Sequence, residues 1–330
     1  MTVLVTGGAG YIGSHMVWKL LDEGEDVIVI DRLSTGFAWA VPGTAKLIVG
    51  DLGDEALVRG VLADNDIEAI IHFAGSTIVP ESVADPLSYY LNNTVNSRAL
   101  IASAVAHKVP HFIFSSTAAV YGNPKQSQVG EDEPTYPESA YGHSKLMTEI
   151  MLKDTARAHP ITYTALRYFN VSGADPAMRT GQSTAGATHL IKVACEAALG
   201  KRTHLDIYGT DWPTPDGTCI RDFIHVSDLV EAHYLALTRL RNGGSSLVAN
   251  CGYGKGYSVR DVISAVTKAT GRDFDVRETD RRPGDLMAVT AKNDIALREF
   301  SWVPKYDDLN LIVANALDWE DRLMKRNDTV

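Results

Sequence analysis

Short β-branched runs alternate with longer helical patterns through the first half of the chain. TVLVT, DVIVI, AKLIVG, AIIHFAG and HFIFSS are apolar at successive positions, the pattern of strands buried on both faces. Between them, segments starting near Ile12, Asp54, Asp85 and Ala140 repeat apolar residues at spacings of three and four, as amphipathic helices do. ITYTALRYFN adds a sixth strand. This order predicts an α/β fold with a doubly wound parallel sheet of Rossmann type over residues 1–170. After Asn170 the small, polar stretch VSGADPAMRTGQSTAGAT breaks the pattern, followed by the helical HLIKVACEAALG and the turn-rich DWPTPDGT. Residues 171–330 are read as a smaller α/β substrate domain closing over the strand ends, with a segment around 223–253 as a candidate to return to the first domain.

A length of 330 residues permits a large core and a deep cleft, and 45% hydrophobic with 22% charged residues is ordinary for a globular protein. The net charge of −10 opposes a surface for nucleic acid or anionic membrane, so any phosphate must be held locally. No apolar run approaches the roughly 20 residues of a membrane span, and no leader pattern precedes TVLVT, which gives a cytoplasmic expectation. Cys195, Cys219 and Cys251 lack the paired spacings of a zinc site or disulfide framework, and the ten histidines show no pair at ligand spacing, so no metal is expected.

Gly7, Gly10 and Gly13 follow the first strand and open a helical pattern, the placement that lets a pyrophosphate approach the backbone at a helix N-terminus. Asp31 ends the second strand 18 residues after Gly13, where a carboxylate accepts hydrogen bonds from an adenosine ribose and repels a 2′-phosphate. Strand, glycines, helix, second strand and acid together indicate NAD rather than NADP. Asp51 ends the next strand, either facing the adenine or capping the following helix. Phe73, Ala74 and Gly75 follow the fourth strand, where small residues leave room for the cofactor.

YGHSK places Tyr141 and Lys145 four residues apart, on one face of a helix, and FIFSST ends a strand upstream at Thr117. A Tyr and Lys at this spacing occur on many solvated helices; beside the glycine loop they become specific. With VLVTGGAGYIGSH, IIHFAG, PLSYYLNN, FIFSSTAAVYG, SAYGHSKLMTE, LRYFNVSGADP, YGTDWPTPDGTCIRDFIHVSDL and RRPGDL, the chain resembles the extended short-chain dehydrogenase/reductase family, and within it the UDP-glucose (UDP-galactose) 4-epimerases, over nearly its whole length.

The resemblance implies that Tyr141, as phenolate, takes the proton of a sugar 4-hydroxyl while the C4 hydride passes to NAD. Lys145 would favour the phenolate and hold the nicotinamide ribose, and the Thr117 hydroxyl would bridge to the same sugar oxygen. Tyr11, Ile12, Leu52, Asn92, Tyr168 and Phe169 would line the cofactor, although Phe169 also reads as core packing. Asn170, His189, Leu190, Tyr208, Arg221, Arg282, Asp285 and Val289 would hold a UDP-sugar, with the arginines on the diphosphate and Tyr208 beside the uracil. Without the family, Arg221 beside Asp222 reads as a local surface salt bridge and RRPGD as a charged turn. His72, Trp18 and Trp302 read as structural.

Four positions depart from the best-known bacterial pattern. Thr117 stands for serine, Thr77 for a cofactor-contacting lysine, His189 for asparagine, and Val289 for a bulky tyrosine that narrows the hexose pocket. A dehydratase would need an acid and base after Thr117, where this chain has Ala118 and Ala119. A UDP-pentose or UDP-uronate 4-epimerase shares the Tyr-Lys chemistry and stays open as an alternative; a non-catalytic NAD or nucleotide-sugar sensor has no reason to keep the reactive groups. The family also implies a homodimer through helices of the first domain.

Overall fold

A computed structural model describes residues 1–282 and 284–327. Pro283, within RRPGDL, and residues 328–330, at the end of the expected second domain, lie outside the described residues. Seven parallel strands form the central sheet: β1 (Thr2–Thr6), β2 (Asp26–Asp31), β3 (Lys46–Val49), β4 (Ile67–His72), β5 (His111–Thr117), β6 (Thr162–Tyr168) and β7 (Leu247–Cys251), in the spatial order β3-β2-β1-β4-β5-β6-β7. The chain leaves β1 toward one edge and returns at β4 toward the other, so a crevice opens at the strand ends between β1 and β4.

The continuous apolar runs exist because alternate side chains feed two cores. Val3, Val5, Val27, Val29, Ile71, Ile113 and Leu166 pack on one face with Met16 and Leu20 of α1 (Tyr11–Asp22) and Leu229 and Leu237 of the helix Val226–Arg241. Leu4, Ile28, Ile30, Ile70, Phe112 and Phe114 pack on the other with Val58, Leu62, Leu100, Ile101 and Leu152. Full burial of each such side chain contributes about 1.5–3 kcal/mol. β3 departs from the expectation of burial on both faces: it is the edge strand, and Val49 is 59% exposed.

The helix expected from Asp85 is interrupted. Asp85 caps Pro86–Tyr89, Tyr90–Val95 winds as a π-helix, and Asn96–Ala106 resumes α geometry. The extra residue per turn rotates the following helix relative to an unbroken one, a shift that apolar spacing does not reveal.

Beyond Asn170, α3 (Leu190–Ala198), Val259–Thr270 and Leu309–Asn327 pack through Ile191, Ala194, Cys195, Val262, Val266, Ile312 and Val313. Ser258 and Asp261 form a reciprocal cap at the start of Val259–Thr270. Two crossings tie the halves together. Leu247–Cys251 joins the central sheet beside β6, and Gln128–Val129 pairs with Ala288–Ala291, itself parallel to Ile220–Arg221.

Asp222 secures this junction. Its buried carboxylate accepts N–H bonds from Tyr253 at 3.0 Å, Gly254 at 2.8 Å and Ala291 at 3.0 Å. The surface salt bridge that Arg221 beside Asp222 suggests without the family is not present: Asp222 points into the protein and is satisfied by backbone.

Candidate active site

The glycine loop fits its spacing to contact. Gly7 has φ +72°, and a Cβ there would stand 2.7 Å from Ala74 N; at Gly13 a Cβ would meet Gly7 O at 2.1 Å. Gly10 is the N-cap of α1 without a side-chain cap, which leaves first-turn N–H groups for an anion. Tyr11 and Ile12 are the first residues of that helix, and the Tyr11 hydroxyl donates to Gly173 O at 2.6 Å. Asp31 accepts from Ala9 N at 2.9 Å and Leu33 N at 2.7 Å, fixing its carboxylate against the loop. A tight turn, a bare helix start and a fixed carboxylate fit a dinucleotide. Phe73 and Ala74 sit across from Gly7, both N–H groups bonding Thr6 O, and Gly75 follows them with Lys145 Nζ 3.7 Å from where its Cβ would lie.

Asp51 accepts from Gly53 N at 2.8 Å and Arg32 at 3.1 Å, and these bonds hold its carboxyl below the usual range. It does not cap the next helix; Asp54 does, accepting from Leu57 N. Leu52 beside it is buried.

α2 (Ala140–Ala158) is capped by Ser139, whose hydroxyl accepts from Gly142 N at 3.1 Å. Tyr141 and Lys145 are therefore one turn apart at its start, 6% and 3% exposed, next to the end of β5. Burial pushes the Tyr141 phenol up, opposed by its hydrogen bond with Thr117. Burial lowers Lys145 to about 8. Its ammonium donates to Ser115 O at 3.0 Å and lies 5.1 Å from the Phe114 ring. Thr117 ends β5, and its hydroxyl accepts from Ala119 N at 3.1 Å. Tyr168, at the end of β6, bonds Ser115 Oγ at 2.5 Å, and burial raises its phenol. Phe169, half-buried, follows it.

Several supporting residues carry no spacing signal. Asn92 donates to Ser76 Oγ at 2.8 Å, but its neighbour Asn93 is the buried one: its amide donates to Ser144 Oγ and Ser76 O, both at 3.0 Å, and accepts from Ser76 N at 2.7 Å. Glu149, a turn beyond Lys145, takes Arg167 in a bidentate pair at 2.9 and 2.6 Å and accepts from Ser116 Oγ at 2.5 Å. Arg167 also lies over the Tyr121 ring at 4.9 Å, and the Tyr121 hydroxyl donates to Asn250 at 2.8 Å. Ser116 precedes Thr117 and Arg167 precedes Tyr168, so this buried group holds the helix to both strands that carry site residues. The one available signal was polarity inside apolar runs.

His72, Trp18 and Trp302 make contacts that suit structural roles. His72 is buried between Thr6 Oγ1 at 2.6 Å and Ser97 Oγ at 2.8 Å, Arg179 stacks over Trp18 at 4.6 Å, and the Trp302 indole donates to Asp228 O at 3.0 Å.

The candidate substrate residues fall in two groups. Asn170, on a strand paired with Phe223–His225, donates to Asp222 O at 3.2 Å; Arg221 and Val289 are partners in register on adjacent strands. Arg221 donates to Ile220 O at 2.9 Å and Leu286 O at 2.8 Å, with Asp285 3.9 Å away. Val289 packs against Val120, Tyr121 and Val129. Asp285 pairs with Arg282 at 2.9 Å, and Arg282 covers the Tyr208 ring at 4.4 Å, so the face expected for uracil carries an arginine here. Arg281, Arg282 and Asp285 are all paired, Arg281 with Asp211 and Arg282 with Asp285. At the N-terminus of α3, His189 Nδ1 meets Gln182 Nε2 at 2.9 Å, and Leu190 begins the helix. Thr77 is exposed.

Among the described residues no helix is long and apolar enough to cross a membrane, and no group of three His, Cys, Asp or Glu side chains is placed to hold a metal ion.

The model of the NAD dependent epimerase/dehydratase family matches residues 3–252. The UDP-glucose 4-epimerase of Azospirillum brasilense is 53% identical over 97% of this chain and 92% of its own. The crystal structure of UDP-glucose 4-epimerase from Bifidobacterium longum in complex with NAD+ and UDP superposes with a TM-score of 0.92 at 38% identity, covering 98% of each chain. The UDP-Glc/GlcNAc 4-epimerase from Campylobacter jejuni gives a TM-score of 0.85 at 45% identity, covering 97% of this chain and 99% of its own.

Burial of Lys145 has a stability consequence with a definite sign. Its folded value of about 8 lies below the ordinary 10.5, so between them the unfolded chain binds more protons and stability rises with pH. Below about pH 8 the buried ammonium carries its full cost. Lys145→Met should therefore stabilise the cofactor-free protein at pH 7 by about 1–3 kcal/mol, a gain that fades toward pH 10. Urea unfolding at both pH values measures it; a variant less stable at pH 7 would refute it.

Proposed function

Because the chain belongs to the NAD dependent epimerase/dehydratase family, we propose that it inverts C4 of a UDP-hexose, interconverting UDP-glucose and UDP-galactose with tightly held NAD. The observation that carries this reading is the burial of Tyr141 and Lys145 at the strand ends, with Thr117 on Tyr141 and the glycine loop opposite.

NAD, when bound, supplies the acceptor that takes the C4 hydride and gives it back. The Gly7–Gly13 loop and the start of α1 would hold its pyrophosphate, and Asp31 its adenosine ribose. Lys145, fixed on Ser115 O, would hold the ribose next to the nicotinamide and adds positive charge to the pocket. Tyr141 takes the proton from the sugar 4-hydroxyl and returns it after the 4-keto sugar has turned over. In the free protein burial holds Tyr141 as a neutral phenol, so its base form depends on added positive charge. Thr117 orients the same oxygen. Asn170, His189, Leu190, Tyr208, Arg221, Arg282 and Asp285 anchor the UDP, leaving the hexose free to rotate; Arg282 must exchange Asp285 for phosphate.

Three finer readings go with it. Val289 leaves the hexose pocket wide enough for a 2-acetamido group, in line with the dual specificity named for the Campylobacter relative. The chain forms a homodimer. Supporting this, Val83, Leu87, Leu91 and Val95 are 51–78% exposed at four-residue intervals, next to the exposed Met147 and Ile150 of α2, where Thr94 Oγ1 meets Met147 Sδ at 4.0 Å. Free buried thiols at Cys195, Cys219 and Cys251 suit the reducing cytoplasm.

Incubated with UDP-galactose and no added NAD, the purified protein should yield UDP-glucose, and Tyr141→Phe should lower turnover by about 10²–10⁴-fold. Conversion of a UDP-pentose or UDP-uronate alone would overturn the hexose assignment. UDP-N-acetylglucosamine should also be converted, and Val289→Tyr should suppress that reaction while sparing UDP-galactose. If the wild-type protein neither converts nor is inhibited by the acetylated sugar, the wide pocket is wrong. In sedimentation velocity the protein should run as two chains and Leu87→Arg with Ile150→Arg as one; a monomeric wild type refutes the dimer.

A further inference from the structure

Arg282 and Asp285 lie between two stretches of backbone pairing. On one side Val276–Thr279 runs parallel to Leu205–Tyr208, with Gly209 N bonding Thr279 O at 2.9 Å. On the other, Ile220 N bonds Met287 O at 2.9 Å before Ala288 pairs with Ile220. Side chains fasten the middle. The Arg281 guanidinium stands 3.8 Å from the Trp212 ring centroid, and the next residue, Arg282, stands 4.4 Å from that of Tyr208. Two consecutive arginines thus stack on two aromatics of the facing segment.

The approach is close enough to dictate sequence. Gly209 has φ +81°, and a Cβ there would lie 2.5 Å from Arg281 Cγ and 2.8 Å from Trp212 Nε1. The two arginines differ in what occupies their polar edges. Arg281 donates to the Asp211 carboxylate and to the Asp211 carbonyl, both at 2.7 Å. Arg282 is held by the carboxylate of Asp285, a partner that a diphosphate can replace. Asp211 is 75% exposed, so its ion pair adds little, and the ring contact and the N–H bond to the Asp211 carbonyl supply the hold.

We propose that Arg281 and Trp212 are positioning residues for nucleotide binding: their stack fixes the segment that presents Arg282 to the UDP diphosphate. The inference rests on the reading of this cleft as a UDP-sugar site. Neither residue contacts Tyr141, Lys145 or Thr117, so the stack governs affinity and leaves the chemical step alone.

The test compares wild type, Trp212→Ala, Trp212→Phe and Arg281→Lys by calorimetric titration with UDP and by initial rates on UDP-galactose. Trp212→Ala should weaken UDP binding about tenfold and raise KM to match, with kcat within about twofold. Trp212→Phe, which keeps a flat face, should recover most of the affinity. Arg281→Lys, a surface change that lacks the planar group, should behave like Trp212→Ala. UDP affinity unchanged in both Trp212→Ala and Arg281→Lys, or a fall in kcat at constant KM, overturns the inference while leaving the site reading intact. A wild-type protein that binds no UDP overturns both.

Discussion

The buried pair of Glu149 and Arg167 is the constraint on which the site's geometry depends. α2 brings Tyr141 and Lys145 to the strand ends, yet both are costly to bury: a phenol that resists ionising and an ammonium lowered to about 8. Neither draws the helix inward by itself. One turn further on, Glu149 is 5% exposed and Arg167 7%, paired through two N–H bonds and assisted by Ser116. Breaking such a pair leaves an uncompensated buried charge, a cost of about 3–5 kcal/mol. The ion pair therefore fixes where α2 lies on β5 and β6, and Thr117 and Tyr168 are the next residues along those strands.

Much of this architecture was legible in the sequence because it obeys two periods. The five apolar runs became the strands β1 to β5 and ITYTALRYFN became β6, since parallel strands between helical layers need apolar side chains on both faces. β3 broke the rule because it lies at the edge, where one flank has no neighbour. The glycine spacing was readable because Gly7 and Gly13 each abut backbone atoms that exclude a Cβ. Tyr141 and Lys145 share a helix face as their spacing indicated, but only the glycine loop and the strand ending at Thr117 singled them out; Asp31 was marked by its place at a strand end.

What escaped was set by contacts remote in sequence. Asp222 looked like the surface partner of Arg221, yet its three backbone donors lie 31, 32 and 69 residues away. The buried role of Asn93 carried no spacing signal, because its partners Ser76 and Ser144 lie 17 and 51 residues away. Asp54, not Asp51, caps its helix, a difference of three residues beyond the precision of apolar spacing. The arrangement of Arg221, Arg282 and Asp285 came from family likeness alone; the structure adds that Arg282 stacks on Tyr208 and pairs with Asp285.

The seventh strand has a consequence for how the protein is made. β7 comes from residues 247–251, long after the other six. While the ribosome is still working through the intervening stretch, β6 is an open edge, with Thr162–Tyr168 offering unpaired N–H and C=O groups to any neighbouring chain. A nascent first half is therefore complete enough to collapse but not to be safe from self-association. Cleavage between residues 170 and 247 would leave the fragment in that state, because the strand that covers Thr162–Tyr168 lies on the far side of the cut.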